Sequence, residues 1–179
     1  MKKLLLCCII LVSVIACKSP EARRPISVTS GSFIDESVKR NTQLYESEKQ
    51  QFQEYINKNP NQKYIASNSG FWYTYNTQIT ADSLPKPDYG DIVFFDYDVK
   101  SLNGIQIYSA NETKPDRYVM DQQELFTGLR EGLKLMKAGE TVTFLFPSSK
   151  AYGYYGDENK IGTNIPLICK VTVHSITEN

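Results

Sequence analysis

The chain has 179 residues, of which 20 are basic and 20 are acidic, so its formal net charge is zero. With 41% apolar residues, this composition argues against a disordered chain, which combines low hydrophobicity with high net charge. It also argues against a nucleic-acid-binding protein, because such proteins usually carry a basic excess. We therefore expect a globular protein that does not bind nucleic acid.

The four cysteines are distributed unevenly. Cys7, Cys8 and Cys17 lie close to the N-terminus, and Cys169 stands alone in the rest of the chain. One thiol cannot form an internal disulfide, and a zinc site needs several Cys or His ligands whereas this chain has a single histidine. The sequence therefore predicts no metal site and a body that is stabilised by packing alone.

Residues 1–16 have the organisation of a secretory signal peptide. Lys2 and Lys3 precede an apolar run that is shorter than the roughly 20 residues a membrane-spanning helix needs. The run ends at Val14-Ile15-Ala16-Cys17, which resembles the bacterial lipobox. In a lipobox the chain is cut immediately before a cysteine, and the thiol of that cysteine is acylated. We predict a lipoprotein signal peptide over residues 1–16 and lipidation of Cys17, with an ordinary signal peptide as the alternative.

Acylation would anchor the mature chain to a membrane surface, since two or more acyl chains hold a protein stably. We expect a lipid-anchored protein of the cell envelope that faces the periplasm, on the outer rather than the inner membrane. Residues 17–31 contain two prolines and few large apolar groups, so they are predicted to be the acylated cysteine and a flexible tether.

An amphipathic helix is predicted over residues 32–60. Ser32 and Asp35 resemble a capping box, and Asn59-Pro60 ends the pattern. One apolar stripe runs along the helix, formed by Ile34, Val38, Tyr45, Phe52 and Ile56. We expect this stripe to pack on its own domain, while a dimer formed through residues 32–59 remains the alternative.

Residues 70–179 alternate between strand and helix patterns. Strands are predicted at residues 71–75, 91–99, 105–108, 142–146 and 167–173, and one helix at residues 125–136. A loop rich in glycine and tyrosine, residues 148–164, precedes the last strand. One short helix among antiparallel strands describes an α+β domain in which the helix covers one face of the sheet.

The chain lacks the groups that most catalytic mechanisms need. His174 is the only imidazole and lies on the polar side of the last predicted strand, so a nucleophile–base pair is not expected. Asp96 and Asp98 share one strand face, but without a second cluster of oxygen ligands they are better interpreted as solvated residues than as a calcium or glycosidase site. Aromatic residues make up 12% of the chain, which favours an apolar concave binding site.

Three motifs together resemble the FKBP-type peptidyl-prolyl isomerase domain. They are Gly128-x-x-Glu131-Gly132-Leu133-x-x-Met136-x-x-Gly139-Glu140, Ala151-Tyr152-Gly153 and Ile165-Pro166-Leu167, and the resemblance covers residues 89–176. When the lipobox and the helix predicted over residues 32–60 are included, the chain is most similar to the gliding-motility-associated FKBP-type lipoproteins of the Bacteroidetes. The resemblance implies a bent antiparallel sheet wrapped around one short helix, and an activity on proline-containing polypeptides that needs no cofactor.

The family pattern also implies roles for individual residues. Four positions correspond to catalytic residues: Tyr97, Tyr108, Phe126 and Tyr152. Four correspond to positions that bind the substrate: Leu125, Leu129, Ser109 and Cys169. By the same resemblance, the Phe126 backbone N–H and the Tyr152 hydroxyl donate hydrogen bonds to carbonyl groups of the ligand.

Three positions depart from the family pattern. Leu129 stands where well-known members have Trp, Ser109 where many have Asp, and Cys169 where they have Phe. A shallower and wider pocket with a reduced catalytic rate is therefore expected.

The sequence thus predicts a lipid-anchored isomerase that assists the folding of exported or envelope proteins, with the gliding motility machinery as a candidate client. The alternative is a non-catalytic chaperone or scaffold module that uses the same pocket in an envelope complex.

Overall fold

The structure, a computed structural model, describes residues 31–80, 84–113 and 117–179. The predicted signal peptide, Cys17 and the tether up to residue 30 lie outside these residues. By its internal contacts the chain divides after Val38, and apart from the first residues of the N-terminal helix the fold below is that of residues 39–179.

Helix α1 spans Gly31–Lys58. It begins one residue before the predicted start, so Ser32 lies within the helix rather than at its cap. Its end is set by Asn59, whose side-chain amide donates to the Tyr55 carbonyl at 2.8 Å and satisfies one of the orphan acceptors of the last turn. Pro60 follows directly and disfavours helical backbone at the residue before it.

Among the described residues, seven strands form one antiparallel sheet. In chain order they are β1 (Ile65–Ala66), β2 (Trp72–Thr77), β3 (Ile92–Ser101), β4 (Gln106–Tyr108), β5 (Tyr118–Val119), β6 (Thr141–Phe146) and β7 (Leu167–Thr177). Their order across the sheet is β1-β2-β6-β7-β3-β4, with β5 paired to β3. The remaining elements are α2 (Ala110–Thr113), α3 (Thr127–Leu133) and a 3₁₀ turn at Ser148–Lys150. The prediction of an α+β fold with an antiparallel sheet and one short covering helix is confirmed.

The inner face of the sheet carries the main core, because alternate residues of each strand point the same way. On β3 these are Val93, Phe95, Tyr97 and Val99, all buried. The register places Tyr97 opposite Val171 and Val99 opposite Cys169, so β7 continues the same apolar surface. Leu129 and Leu133 of α3 are fully buried in this core.

A second apolar cluster lies on the outer face of the sheet. Trp72, Leu145 and Ile168 are neighbours in register across β2, β6 and β7, and Phe52 of α1 packs on them, with its ring 5.3 Å from that of Trp72. The predicted apolar stripe therefore meets its own domain through Phe52 and Ile56. Tyr45 remains 44% exposed, and the dimer through residues 32–59 stays a prediction.

The helix that covers the inner face is shorter than its apolar spacing predicts. Phe126 precedes the first helical residue and has an extended backbone, with φ −62° and ψ 143°. Leu135 and Met136 follow in turns, where their amides donate to the carbonyls of Gly132 and Leu133 at 3.0 Å. Apolar spacing identifies buried side chains whether or not their backbone is helical. The turns at both ends of α3 also bury apolar side chains, so the spacing extends beyond the helix.

Four short elements were absent from the prediction: β1, β5, α2 and the 3₁₀ turn at Ser148–Lys150. Segments of two to four residues carry too few positions for a periodic pattern. Within the ranges that the structure describes, no helix combines the length and the apolar character of a membrane span.

Candidate active site

Seven of the eight residues predicted for the pocket lie in or against the main core cluster of the domain. Tyr97, Leu129 and Cys169 are buried, and Tyr108, Leu125, Phe126 and Tyr152 are partly exposed around them. We call these seven residues the pocket cluster. They come from six parts of the fold: β3, β4, the approach to α3, which supplies both Leu125 and Phe126, α3 itself, the loop after the 3₁₀ turn, and β7.

Aromatic rings support the pocket cluster from the sheet side. The Phe126 ring lies 5.2 Å from the Tyr152 ring and 5.4 Å from the Phe146 ring. Phe146 in turn stacks on Phe144, with ring centroids 5.2 Å apart. Such contacts contribute about 0.5–1.5 kcal/mol each beyond buried area, so they hold Phe126 and Tyr152 against a rigid base.

The backbone at Phe126 supplies a hydrogen-bond donor. Its carbonyl accepts the Leu129 and Arg130 amides, both at 3.1 Å, which fixes the peptide at the start of α3. For the Phe126 N–H itself, no acceptor is found among the residues that the structure describes. The first N–H groups of a helix have no intrahelical partner, so this donor is available to a ligand.

Tyr152 sits in a tightly turned part of the loop. The Ser148 carbonyl accepts the Ala151 amide at 3.0 Å and the Gly153 amide at 2.8 Å, which fixes the residues on both sides of Tyr152. Gly153 has φ of +59°, a backbone conformation that L side chains rarely adopt. Its carbonyl accepts the Asn164 amide at 2.8 Å, which closes the loop behind Tyr152.

The tyrosine hydroxyls of the pocket cluster are held in the neutral state. Burial, reinforced by the neighbouring Cys169, Asp157 and Tyr108, raises the pKa of Tyr152 to about 12. Burial and the neighbouring Tyr152 raise the pKa of Tyr97 still further above its ordinary value. Both hydroxyls therefore keep their protons at physiological pH and can donate hydrogen bonds.

Ser109 is engaged with its own helix. Its backbone N–H and its hydroxyl both donate to Glu112 Oε2 at 2.8 Å, at the start of α2. The hydroxyl thus serves as part of a local capping arrangement. Because Ser109 has no carboxylate, an acidic group near the pocket cluster must come from elsewhere in the chain.

Asp157, which sequence reasoning did not select, brings a carboxylate to the pocket cluster. The Tyr108 hydroxyl donates a hydrogen bond to Asp157 Oδ2. Asp157 Oδ1 accepts the Ile161 amide at 2.7 Å and the Asn159 amide at 3.0 Å. Partial burial would raise the pKa of Asp157, but these hydrogen bonds outweigh it and lower that pKa below its usual value. The loop therefore presents an ionised carboxylate beside Tyr108.

Lys160 connects the same loop to Tyr108 and to α2. Its Nζ lies 4.6 Å from the centre of the Tyr108 ring and 2.6 Å from Glu112 Oε1. Both groups of the ion pair are largely exposed, so the pair contributes little energy, but it joins the loop to α2. No sequence spacing signals these contacts, because Tyr108 and Asp157 are 49 positions apart.

Cys169 is a packing residue. It lies on β7, the strand between β3 and β6. Its thiol is fully buried, and that burial raises its pKa well above the ordinary value. A thiol that stays protonated in an apolar environment is unreactive. Cys169 and Leu129 thus form the apolar, inner side of the pocket cluster.

The two strand aspartates make contacts with other polar side chains. Asp96 Oδ2 lies 2.6 Å from Nε2 of the exposed His174, and Asp98 forms an ion pair with Lys100 at 2.9 Å. Across the described part of the chain, no group of three or more His, Cys, Asp and Glu side chains is arranged to hold a metal ion.

An antiparallel sheet around one short helix, with partly exposed aromatic rings and a free backbone donor at the helix start, defines a domain suited to binding an extended polypeptide. A family model described as FKBP-type peptidyl-prolyl cis-trans isomerase matches residues 85–174. The chain belongs to this family.

Individual relatives agree with this assignment. The chain is 29% identical over 91 residues to a probable FKBP-type peptidyl-prolyl cis-trans isomerase, FkpA, of Neisseria meningitidis; the match covers 51% of this chain and 33% of that protein. The chain thus spans about a third of the length of this relative.

Two solved structures share the fold. The first is a peptidyl-prolyl cis-trans isomerase of Pseudomonas syringae, with a TM-score of 0.61, 21% identity, and coverage of 76% of this chain and 96% of that one. The second is the N-terminal domain of FKBP42 from Arabidopsis thaliana, with a TM-score of 0.56, 19% identity, and coverage of 65% and 93% respectively.

Proposed function

We propose that this protein catalyses the cis–trans isomerisation of X–Pro peptide bonds in polypeptides. The observation that carries the proposal is the pocket cluster, in which the free Phe126 N–H and the neutral Tyr152 hydroxyl border one apolar, aromatic-lined surface. Membership of the FKBP-type family supports the same reaction.

The reaction needs positioning and a dry environment rather than acid or base chemistry. Rotation about the amide costs about 18–20 kcal/mol because it breaks conjugation of the C–N bond. The twisted amide loses its charge separation, so an apolar surface favours it over the planar form, which water solvates well. Donors from Phe126 and Tyr152 would hold carbonyl groups of the substrate in the conformer that rotates.

A protease-coupled assay tests the proposal, with a proline-containing chromogenic peptide and residues 18–179 of the chain. We expect the slow cis-to-trans phase to accelerate in proportion to protein concentration. If the peptide binds but the slow phase is unchanged, the non-catalytic binding module is the better description and the isomerase proposal is wrong.

We further propose that the mature protein is anchored to an envelope membrane through an acylated Cys17 and faces the periplasm. The lipobox-like Val14-Ile15-Ala16-Cys17 supports this location. Its clients would be exported or envelope polypeptides. The lipobox and the helix that precedes the isomerase domain resemble those of gliding-motility lipoproteins. This similarity supports the gliding machinery as one of the clients.

Replacing Cys17 by serine tests the anchor. Without the acylated thiol we expect the protein to move from the membrane fraction to the soluble fraction and to stop incorporating labelled fatty acid. Cys8→Ser is the matched control, because Cys8 lies within the predicted signal peptide and would be removed. Unchanged labelling of the Cys17→Ser variant would contradict lipidation at this residue.

A further inference from the structure

Helix α1 lies outside the segment that the family model matches, residues 85–174. Its C-terminal half is nevertheless packed on the same domain, because the Phe52 side chain is fully buried against Leu145 and Ile168. Residues on one helix face recur at intervals of three and four, so the residue four positions before Phe52 faces the domain too.

That residue is Glu48, which is only 3% exposed. Its Oε2 accepts the backbone N–H of Ser148 at 3.0 Å, a contact between residues 100 positions apart. Its Oε1 is buried and has no hydrogen-bond partner among the described residues. Burying a carboxylate is costly, and an apolar side chain here would extend the Phe52 contact without that cost. Packing alone therefore does not explain a glutamate at this position.

Ser148 is the residue from which the Tyr152 turn is built. Its N–H is held by Glu48, while its carbonyl accepts the Ala151 and Gly153 amides that flank Tyr152. A shift of Ser148 would therefore move the turn that orients the Tyr152 side chain.

The helix and this loop also line a common pocket. It has a volume of about 280 Å³ and is lined on the helix side by Leu44, Tyr45 and Glu48 and on the loop side by Ser148 and Tyr154, among others. The Glu48 hydrogen bond links the helix directly to the loop beside this pocket.

We propose that Glu48 is a positioning residue, which couples α1 to the Tyr152 loop through the Ser148 N–H and so keeps the isomerase site in its active geometry. The inference rests on the proposed isomerase function for its kinetic consequence, but the coupling between helix and loop can be measured without it.

Two variants of the mature chain separate positioning from packing. Glu48→Leu removes the acceptor and keeps most of the volume, whereas Glu48→Gln keeps an amide oxygen that can accept the Ser148 N–H. We expect kcat/KM of Glu48→Leu to fall roughly tenfold, mainly through kcat, as the loss of one buried hydrogen bond implies. Glu48→Gln should restore it to within twofold of wild type, and Glu46→Ala, a change at an exposed position of the same helix, should leave it unchanged.

Amide hydrogen exchange of Ala151 and Gly153 provides the second measurement. We expect exchange of these two amides to accelerate in Glu48→Leu and to stay at the wild-type rate in Glu48→Gln. If Glu48→Leu keeps wild-type exchange at both amides, the positioning proposal is wrong. If wild type shows no isomerase activity, the proposed function fails instead, while the exchange result still decides the coupling.

Discussion

Replacing Gly128 by alanine is expected to lower the free energy of unfolding by about 3 kcal/mol and to abolish most isomerase activity. A Cβ at this position would lie 2.6 Å from Phe146 Cδ1 and 2.7 Å from the Lys150 carbonyl oxygen. Helix propensity alone would favour alanine by about 1 kcal/mol. The clash decides the sign, because a buried ring and a backbone carbonyl cannot both withdraw.

Urea unfolding measures this effect, and the slope of the transition should stay unchanged. Gly162→Ala is the matched control, since the nearest atom to its added Cβ would be Ile165 Cγ1 at 3.9 Å. We expect its unfolding free energy to remain within about 1 kcal/mol of wild type. A Gly128→Ala variant as stable as this control would show that α3 can move away from Phe146 and the Lys150 carbonyl without cost.

Tyr152→Phe is expected to lower kcat/KM about tenfold while the domain stays folded. The change removes one hydroxyl and keeps the ring, which packs 5.2 Å from Phe126. The loss should therefore appear in the rate rather than in peptide binding through the apolar surface. The protease-coupled assay measures the rate, and circular dichroism verifies the fold.

Tyr155→Phe is the control for this prediction, because Tyr155 belongs to the same loop and is 84% exposed. Removing the Tyr155 hydroxyl should leave kcat/KM unchanged. If Tyr152→Phe and Tyr155→Phe have equal activities, the Tyr152 hydroxyl takes no part in catalysis, and the apolar surface would have to account for the whole rate.

Much of the site follows from local sequence motifs. The Ala151-Tyr152-Gly153 turn and the residues around Gly128 are short-range patterns, and the structure places Tyr152 and Phe126 in the same cluster as Tyr97. Asp157 and Glu48 carry no such pattern. Each acts through one hydrogen bond to a residue 49 or 100 positions away, and a single polar residue in a loop or helix does not reveal its distant partner.

The helices also combine features that follow from the sequence with features that depend on the tertiary structure. Apolar spacing predicts α1 and its stripe, but only the sheet decides that Phe52 is buried while Tyr45 stays 44% exposed. The reason lies on the outer face, where Trp72, Leu145 and Ile168 meet in register and offer one apolar patch. Burial of that patch stabilises the helix where it passes over the patch, and Tyr45 lies beyond it.

The sequence by itself determined the α+β class, the main strands and the family, because alternation, turns and local motifs are short-range. Only the tertiary structure decided that Glu48 holds the base of the Tyr152 loop and that Asp157 meets the Tyr108 hydroxyl. Those contacts depend on the way the sheet brings distant segments within hydrogen-bonding distance, and no local pattern of side chains encodes that distance.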